Sequence, residues 1–338
     1  MSTSIMSKPI AVVISDIHFN INTLELATQA LEHAITTAEQ LNIPLIVAGD
    51  LHDTKAIVRA EVANVLCKTF KHTTTPCYII SGNHDRISEK HEEHGLNYLR
   101  PYADIVDTST GININGINLE LLPYFHDLDY LQTYLKVIPK GTITIMHQGF
   151  QGAWMGDYIQ DKTSLPLSAV EHLKVITGHY HKHQTLGTVT YIGSPYTITF
   201  GEANDGDKGY LVLHSDGSYD RKILKLRKHV IIEGIGDEEG FLLEWAKIEE
   251  LQPEDLVWVK IKGPKSCLDK INKVEFGKAV LKRDNFKLDL IPIDAPDLHI
   301  QHEKMTDDKI FDSIIDNLND SLDYKEYLKR TYHEVTNN

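Results

Sequence analysis

The chain has 338 residues, 41% of them hydrophobic and 24% charged, with 18 histidines, three cysteines and a formal net charge of −14. This is ample apolar material for a large domain plus a smaller one, and no apolar run approaches the roughly 18 residues that would span a membrane. The acidic balance argues against a chain that grips nucleic acid unaided, because phosphate contacts need Lys and Arg. The scattered Cys67, Cys77 and Cys267 argue against a disulfide framework or a cysteine zinc site, so any metal is held by nitrogen and oxygen. Residues 1–9 lack a secretory pattern, and an intracellular, cytoplasmic location is expected.

In chain order, Pro9 to Ser15 (PIAVVIS) reads as a buried strand, and residues 23–41 place Leu24, Ala27, Leu31, Ala34, Ile35 and Ala38 at helical spacing. A strand follows at Ile43 to Ala48, then a helix over 56–70, and further strands at 77–81, 117–122, 142–146, 173–177 and 189–193. This alternation predicts an α/β sandwich with its active residues on loops after strands. The texture changes near 229, where residues 229–292 read as strand, helix, strand, helix, strand. After Pro296 a polar stretch leads into two amphipathic helices, the first with the apolar stripe Ile310, Phe311, Ile314, Ile315 and Leu318. The expected domains are therefore 1–228, 229–295 and 300–338.

Five short motifs carry chemistry, each placed at the end of an apolar run. They are Asp16 and His18 (D-x-H), Asp50 in GDLHD, Asn83 and His84 in GNHD, His147 after TITIM, and His179 and His181 in GHYH. Residues two apart on an extended segment point to one side, which would let each D-x-H or H-x-H pair share an ion. Two carboxylates, an amide and four imidazoles suit Mn²⁺, Fe or Zn²⁺ better than a dedicated Ca²⁺ or Mg²⁺ cage. Seven ligands exceed one ordinary site and fit two ions bridged by a carboxylate, the clamp used for displacement at phosphorus.

These motifs in this order resemble the calcineurin-like metallophosphoesterases. The resemblance implies Asp16, His18, Asp50 and His181 on one metal, and Asp50 (bridging), Asn83, His147 and His179 on the other. It implies that His84 acts at the scissile phosphate as general acid, with Asp85 orienting it. The stretch YIGSPYTITFGEANDGDKGYLVL, residues 191–213, resembles the Y-x-G-S…F-x-E…K-G segment of SbcD-type repair nucleases of bacteria and phages. That family implies a metallophosphoesterase β-sandwich flanked by helices, a small α/β capping domain with possible DNA contact, and C-terminal helices that dock a partner. It further implies a Mn²⁺-dependent exo- and endonuclease acting on DNA with an SbcC-type, SMC-like ABC ATPase bearing a coiled coil, as a homodimer within a heterotetramer. A stand-alone phosphodiesterase or phosphatase acting on small nucleotides is the alternative. One departure stands out: cellular relatives usually have His where this chain has Asp53.

Two further segments stay open between readings. RKILKLRKH (221–229) is either a DNA-phosphate contact or a solvated edge strand with outward Lys. Trp154, Met155 and Tyr158 either stack on an unpaired base or anchor their loop hydrophobically.

Overall fold

The computed structural model describes residues 7–88, 90, 92–157, 159–236 and 241–293. The expected C-terminal helices over 300–338 and Tyr158 lie outside the described residues.

The strands begin with β1 (Pro9–Ile14), β2 (Leu45–Ala48), β3 (Cys77–Ile80) and β4 (Asp104–Val106). Next come β5 (Thr110–Ile114), β6 (Ile117–Leu122), β7 (Ile143–His147), β8 (Lys174–Gly178), β9 (Gln184–Leu186) and β10 (Val189–Tyr191). The strands β11 (Gly209–His214) and β12 (Tyr219–Ile223) return to the first sheet. That sheet is ordered β12-β11-β1-β2-β3-β4, and the second is ordered β5-β6-β7-β8-β10-β9. In the first, β1 to β4 are parallel; in the second, β6, β7, β8 and β10 are parallel.

Strand alternation explains why the sheets stack. Ala11 and Val13 of β1 face Ile145 of β7 and Ile176 of β8 in a core between the sheets. Val12 and Ile14, on the other face, pack against Ala27, Leu31 and Ala34 of helix α1 (Leu24–Leu41) and Leu66 of helix α2 (Ala60–Lys71). Both faces of β1 are covered, so it reads as a continuous apolar run rather than an alternating one. On the far side, Leu131 and Leu135 of helix α3 (Leu128–Leu135) close a third core with Met146 and Val175. Each fully buried Leu or Ile in these cores contributes about 1.5–3 kcal/mol relative to exposure. The result is a sandwich of two sheets with helices on its outer faces.

The helix expected from 56 begins only at Ala60. Ala56 sits at φ 63°, its N–H is committed to the Arg86 carbonyl, and Arg59 is extended. Later residues form a four-stranded sheet ordered β14-β13-β15-β16, from β13 (His229–Gly236), β14 (Phe241–Leu243), β15 (Leu256–Gly263) and β16 (Lys287–Pro292). Among the described residues the chain divides into two compact units, one taking residues up to 232, 244–259 and 274–288, the other the rest. Every residue of the site lies in the first unit. Among the described residues no helix is long and apolar enough to cross a membrane.

Candidate metal centre

Ligands of parallel α/β sheets gather outside the carboxyl ends of the strands. Here the loops after β1, β2, β3, β7 and β8 meet at one such edge. Asp16, His18 and His181 bring ligand atoms within 4.8 Å of one another, as do Asp16, Asp50 and His147, and His18, Asp50 and His84. The His18 and His181 Nε2 atoms are 3.1 Å apart. His147 Nε2 lies 3.0 Å from Asn83 Oδ1, and His179 Nδ1 lies 2.9 Å from that oxygen. Asp50 Oδ2 sits between the two groups, 3.7 Å from His18 Nε2 and 3.2 Å from His147 Nε2. The structure thus brings all seven expected ligands together, with His84 at the margin.

Two arguments show that this donor set fits cations. Asp16 and Asp50 are 0% and 2% exposed, and a pair of buried carboxylates is costly without nearby positive charge. The second argument concerns lone pairs. The His147 Nδ1 bonds to the Ala48 carbonyl at 2.8 Å and the His181 Nδ1 to Glu202 Oε1 at 2.9 Å. Carbonyls and carboxylates accept only, so both Nδ1 atoms donate, and in its neutral, ligating form each ring turns an Nε2 lone pair into the site. Lone pairs of nitrogen, amide and carboxylate converging within hydrogen-bond range are mutually repulsive unless a cation lies among them. The electrostatics show the same demand for positive charge: burial acts to lower the His147 pKa, yet the Asp50 carboxylate overrides it and raises it to about 9, so that without an ion a proton on Nε2 stands where the cation would. His179 goes the other way, down to about 4, through burial and the nearby His147.

The D-x-H spacing works by a different geometry from that expected. Asp16 and His18 have φ of 53° and 51°, Asp50 51° and His179 89°, so the ligand loops are left-handed rather than extended. Non-glycine residues pay for such conformations, and they concentrate where a site over-determines the backbone. Backbone bonds hold them: His18 N donates to Asp50 O at 3.1 Å, His84 N to Asp50 Oδ1 at 2.8 Å and His179 N to Asp16 Oδ1 at 3.0 Å.

Asp85 does not orient His84. Its carboxylate accepts the Gly82 and His52 N–H groups at 2.9 Å each, stapling the GNHD turn to the GDLHD loop. The His84 ring instead donates from Nδ1 to the Asp53 carbonyl at 2.6 Å. The Asp53 side chain faces His18, with Oδ1 3.4 Å from its Nδ1, while His52 turns away to the Tyr98 hydroxyl at 2.8 Å.

Three residues near the ligands were not singled out from sequence. Glu202 meets His181, and Lys208 and Ser194 meet Glu202, each at 3.0 Å. Burial would raise the Glu202 carboxyl, but the His181 hydrogen bond and the His181 and Lys208 charges hold it down at about 2. The signal was present, since all three belong to the Y-x-G-S…F-x-E…K-G segment, but no role could be read from it. The loop after His147 exposes Trp154 by 39% and Met155 by 53%, which does not fit the hydrophobic-anchor reading. Of RKILKLRKH, residues up to Ile223 belong to the edge strand β12, with Lys222 outward, and 224–228 continue as irregular chain.

A buried two-carboxylate, amide and imidazole cluster at the edge of a double sheet defines a divalent-metal phosphoester hydrolase. Residues 11–183 match the calcineurin-like phosphoesterase family, and the chain belongs to it. The DNA double-strand break repair protein Mre11 of Methanocaldococcus jannaschii is 29% identical over 277 residues, covering 74% of this chain and 73% of that protein. Exonuclease subunit 1 of Enterobacteria phage T4 is 24% identical over 170 residues, covering 46% of this chain and 49% of that protein. The chain is thus similar to two proteins named for DNA repair or exonuclease activity.

Proposed function

We propose that the chain is a metal-dependent DNA nuclease, exonuclease and endonuclease, working as a subunit of an SbcCD-like repair or recombination complex. The observation that carries this reading is the likeness to Mre11 along 277 residues, well past the ligand motifs that the whole family shares. Asp16, His18, Asp50 and His181 would hold one ion and Asp50, Asn83, His147 and His179 the other, with Mn²⁺ the ion that this mixed donor set suits. When bound, the pair supplies Lewis acidity and water activation for in-line displacement at phosphorus. His84 has Nδ1 tied to the Asp53 carbonyl and a ring nitrogen within 4.8 Å of ligand atoms of His18 and Asp50, and from Nε2 it gives a proton to the leaving oxygen. Asp50, whose Oδ2 lies between His18 and His147, would join the two ligand groups.

DNA is the substrate, and the acidic chain draws its positive surface from an SbcC-type ATPase with a coiled coil and from its own dimerisation. Residues 229–295 serve as a capping domain and 300–338 as the docking element.

The test is degradation of end-labelled linear duplex with Mn²⁺, with and without the ATPase. Activity that EDTA and His84→Ala both abolish supports the reading. Rapid turnover of small phosphodiesters with no attack on DNA, even with the ATPase, defeats it.

A further inference from the structure

Packing restrains His181 less than it restrains His18 or His147. Its side chain is 29% exposed, against 4% for His18 and 0% for His147. Something other than close packing must fix its ring, and the segment after β10 supplies it. The Glu202 Oε1 atom accepts a hydrogen bond from His181 Nδ1 at 2.9 Å. The other oxygen, Oε2, accepts from Ser194 Oγ and Lys208 Nζ, both at 3.0 Å, and from Ile198 N at 3.3 Å. The main chain of His181 is gripped as well, its carbonyl accepting Ser194 N at 3.0 Å and Lys208 Nζ at 2.9 Å. Gly193 makes the approach possible: at φ +79°, a Cβ there would stand 2.8 Å from that carbonyl.

Glu202 and Lys208 are each 7% exposed, and a buried ion pair is seldom a net source of stability, since apolar replacements of similar volume often do as well. What the pair does accomplish is directional. Lys208 also holds Asp205 at 2.9 Å, so the ammonium is pinned between two carboxylates while it clamps both Glu202 and the His181 carbonyl.

We infer that Glu202 is a positioning residue of the metal centre: with Ser194 and Lys208 it locks the tautomer, ring and main chain of His181, so that Nε2 faces the same point as His18 and Asp16. This rests on the two-ion reading above, and it gives the 191–213 segment a local task at the metal. Outer partners of this kind typically change metal affinity by about 10–100-fold.

The experiment is a Mn²⁺ titration of the full chain and its Glu202→Ala and Glu202→Gln variants, followed by electron paramagnetic resonance. Glu202→Ala is expected to weaken one of two ions about 10–100-fold, replacing the exchange-coupled pair signal with that of a single ion of unchanged affinity. Glu202→Gln keeps an oxygen acceptor for His181 and should fall between; being isosteric, it also serves if Glu202→Ala does not fold. A pair signal at wild-type affinity in both variants overturns the inference, as does equal weakening of both ions. If the unaltered chain shows no coupled pair, the two-ion reading itself fails.

Discussion

The imidazole Nδ1 of His84 lies 2.6 Å from the backbone carbonyl oxygen of Asp53. The carbonyl only accepts, so the ring orientation is set by the main chain at 53 and not by the side chain there. Replacing Asp53 by Ala or Asn should therefore leave His84 in place and cost less than about tenfold in turnover. His84→Ala should cost about 10²–10⁴-fold with the bound-ion count unchanged. Steady-state kinetics beside a metal count decide it. Equal losses in the two variants would show that the Asp53 carboxylate does more than sit beside His18.

Asn83 Oδ1 is the oxygen on which His147 and His179 converge, at 3.0 and 2.9 Å. Asn83→Ala should weaken one of two Mn²⁺ ions by at least about 10–100-fold while the other stays bound, a drop that calorimetric titration resolves. Retention of two tight ions would remove Asn83 from the ligand set.

Gly49, in GDLHD, has φ +91°, and a Cβ there would stand 2.2 Å from His147 Nδ1. Backbone strain alone costs about 1–2 kcal/mol for any residue with a Cβ, and His147 must also move off the Ala48 carbonyl. Gly49→Ala should lower the melting temperature and abolish metal-stimulated hydrolysis together. A folded variant with full activity would mean that His147 tolerates displacement and is not a ligand.

Trp154 is tied down by its backbone, which exchanges hydrogen bonds with the Gln184 side chain at 2.8 Å each way, while the side chain remains exposed. Trp154→Ala should change stability by no more than about 0.5 kcal/mol. If the indole stacks on an unpaired base, single-strand affinity falls by about 1–3 kcal/mol, measured by fluorescence anisotropy. Unchanged affinity would remove the stacking role.

Much of the site was legible because each ligand follows an apolar run. PIAVVIS before Asp16 and TITIM before His147 are recognisable as strands, and parallel strands deliver their next residues to one edge. Less legible was how the ligands turn inward, because left-handed φ at Asp16 and Asp50 is imposed by cross-loop bonds that no local pattern announces. The same limit hid the cradle of His181. Glu202 lies 21 residues further along the chain, and only the return of the segment before β11 brings it to the ring. Helix α3 was missed for another reason: eight residues offer barely two turns, and its start depends on Asp127 capping Tyr130 N at 2.9 Å. The sandwich itself followed from the alternation of strands and helices.

Anomalous diffraction from Mn²⁺-soaked crystals tests the two-ion centre most directly. Two peaks about 3.5–4 Å apart are predicted, one among Asp16, His18, Asp50 and His181, the other among Asp50, Asn83, His147 and His179. A single peak, or peaks away from these side chains, would contradict it.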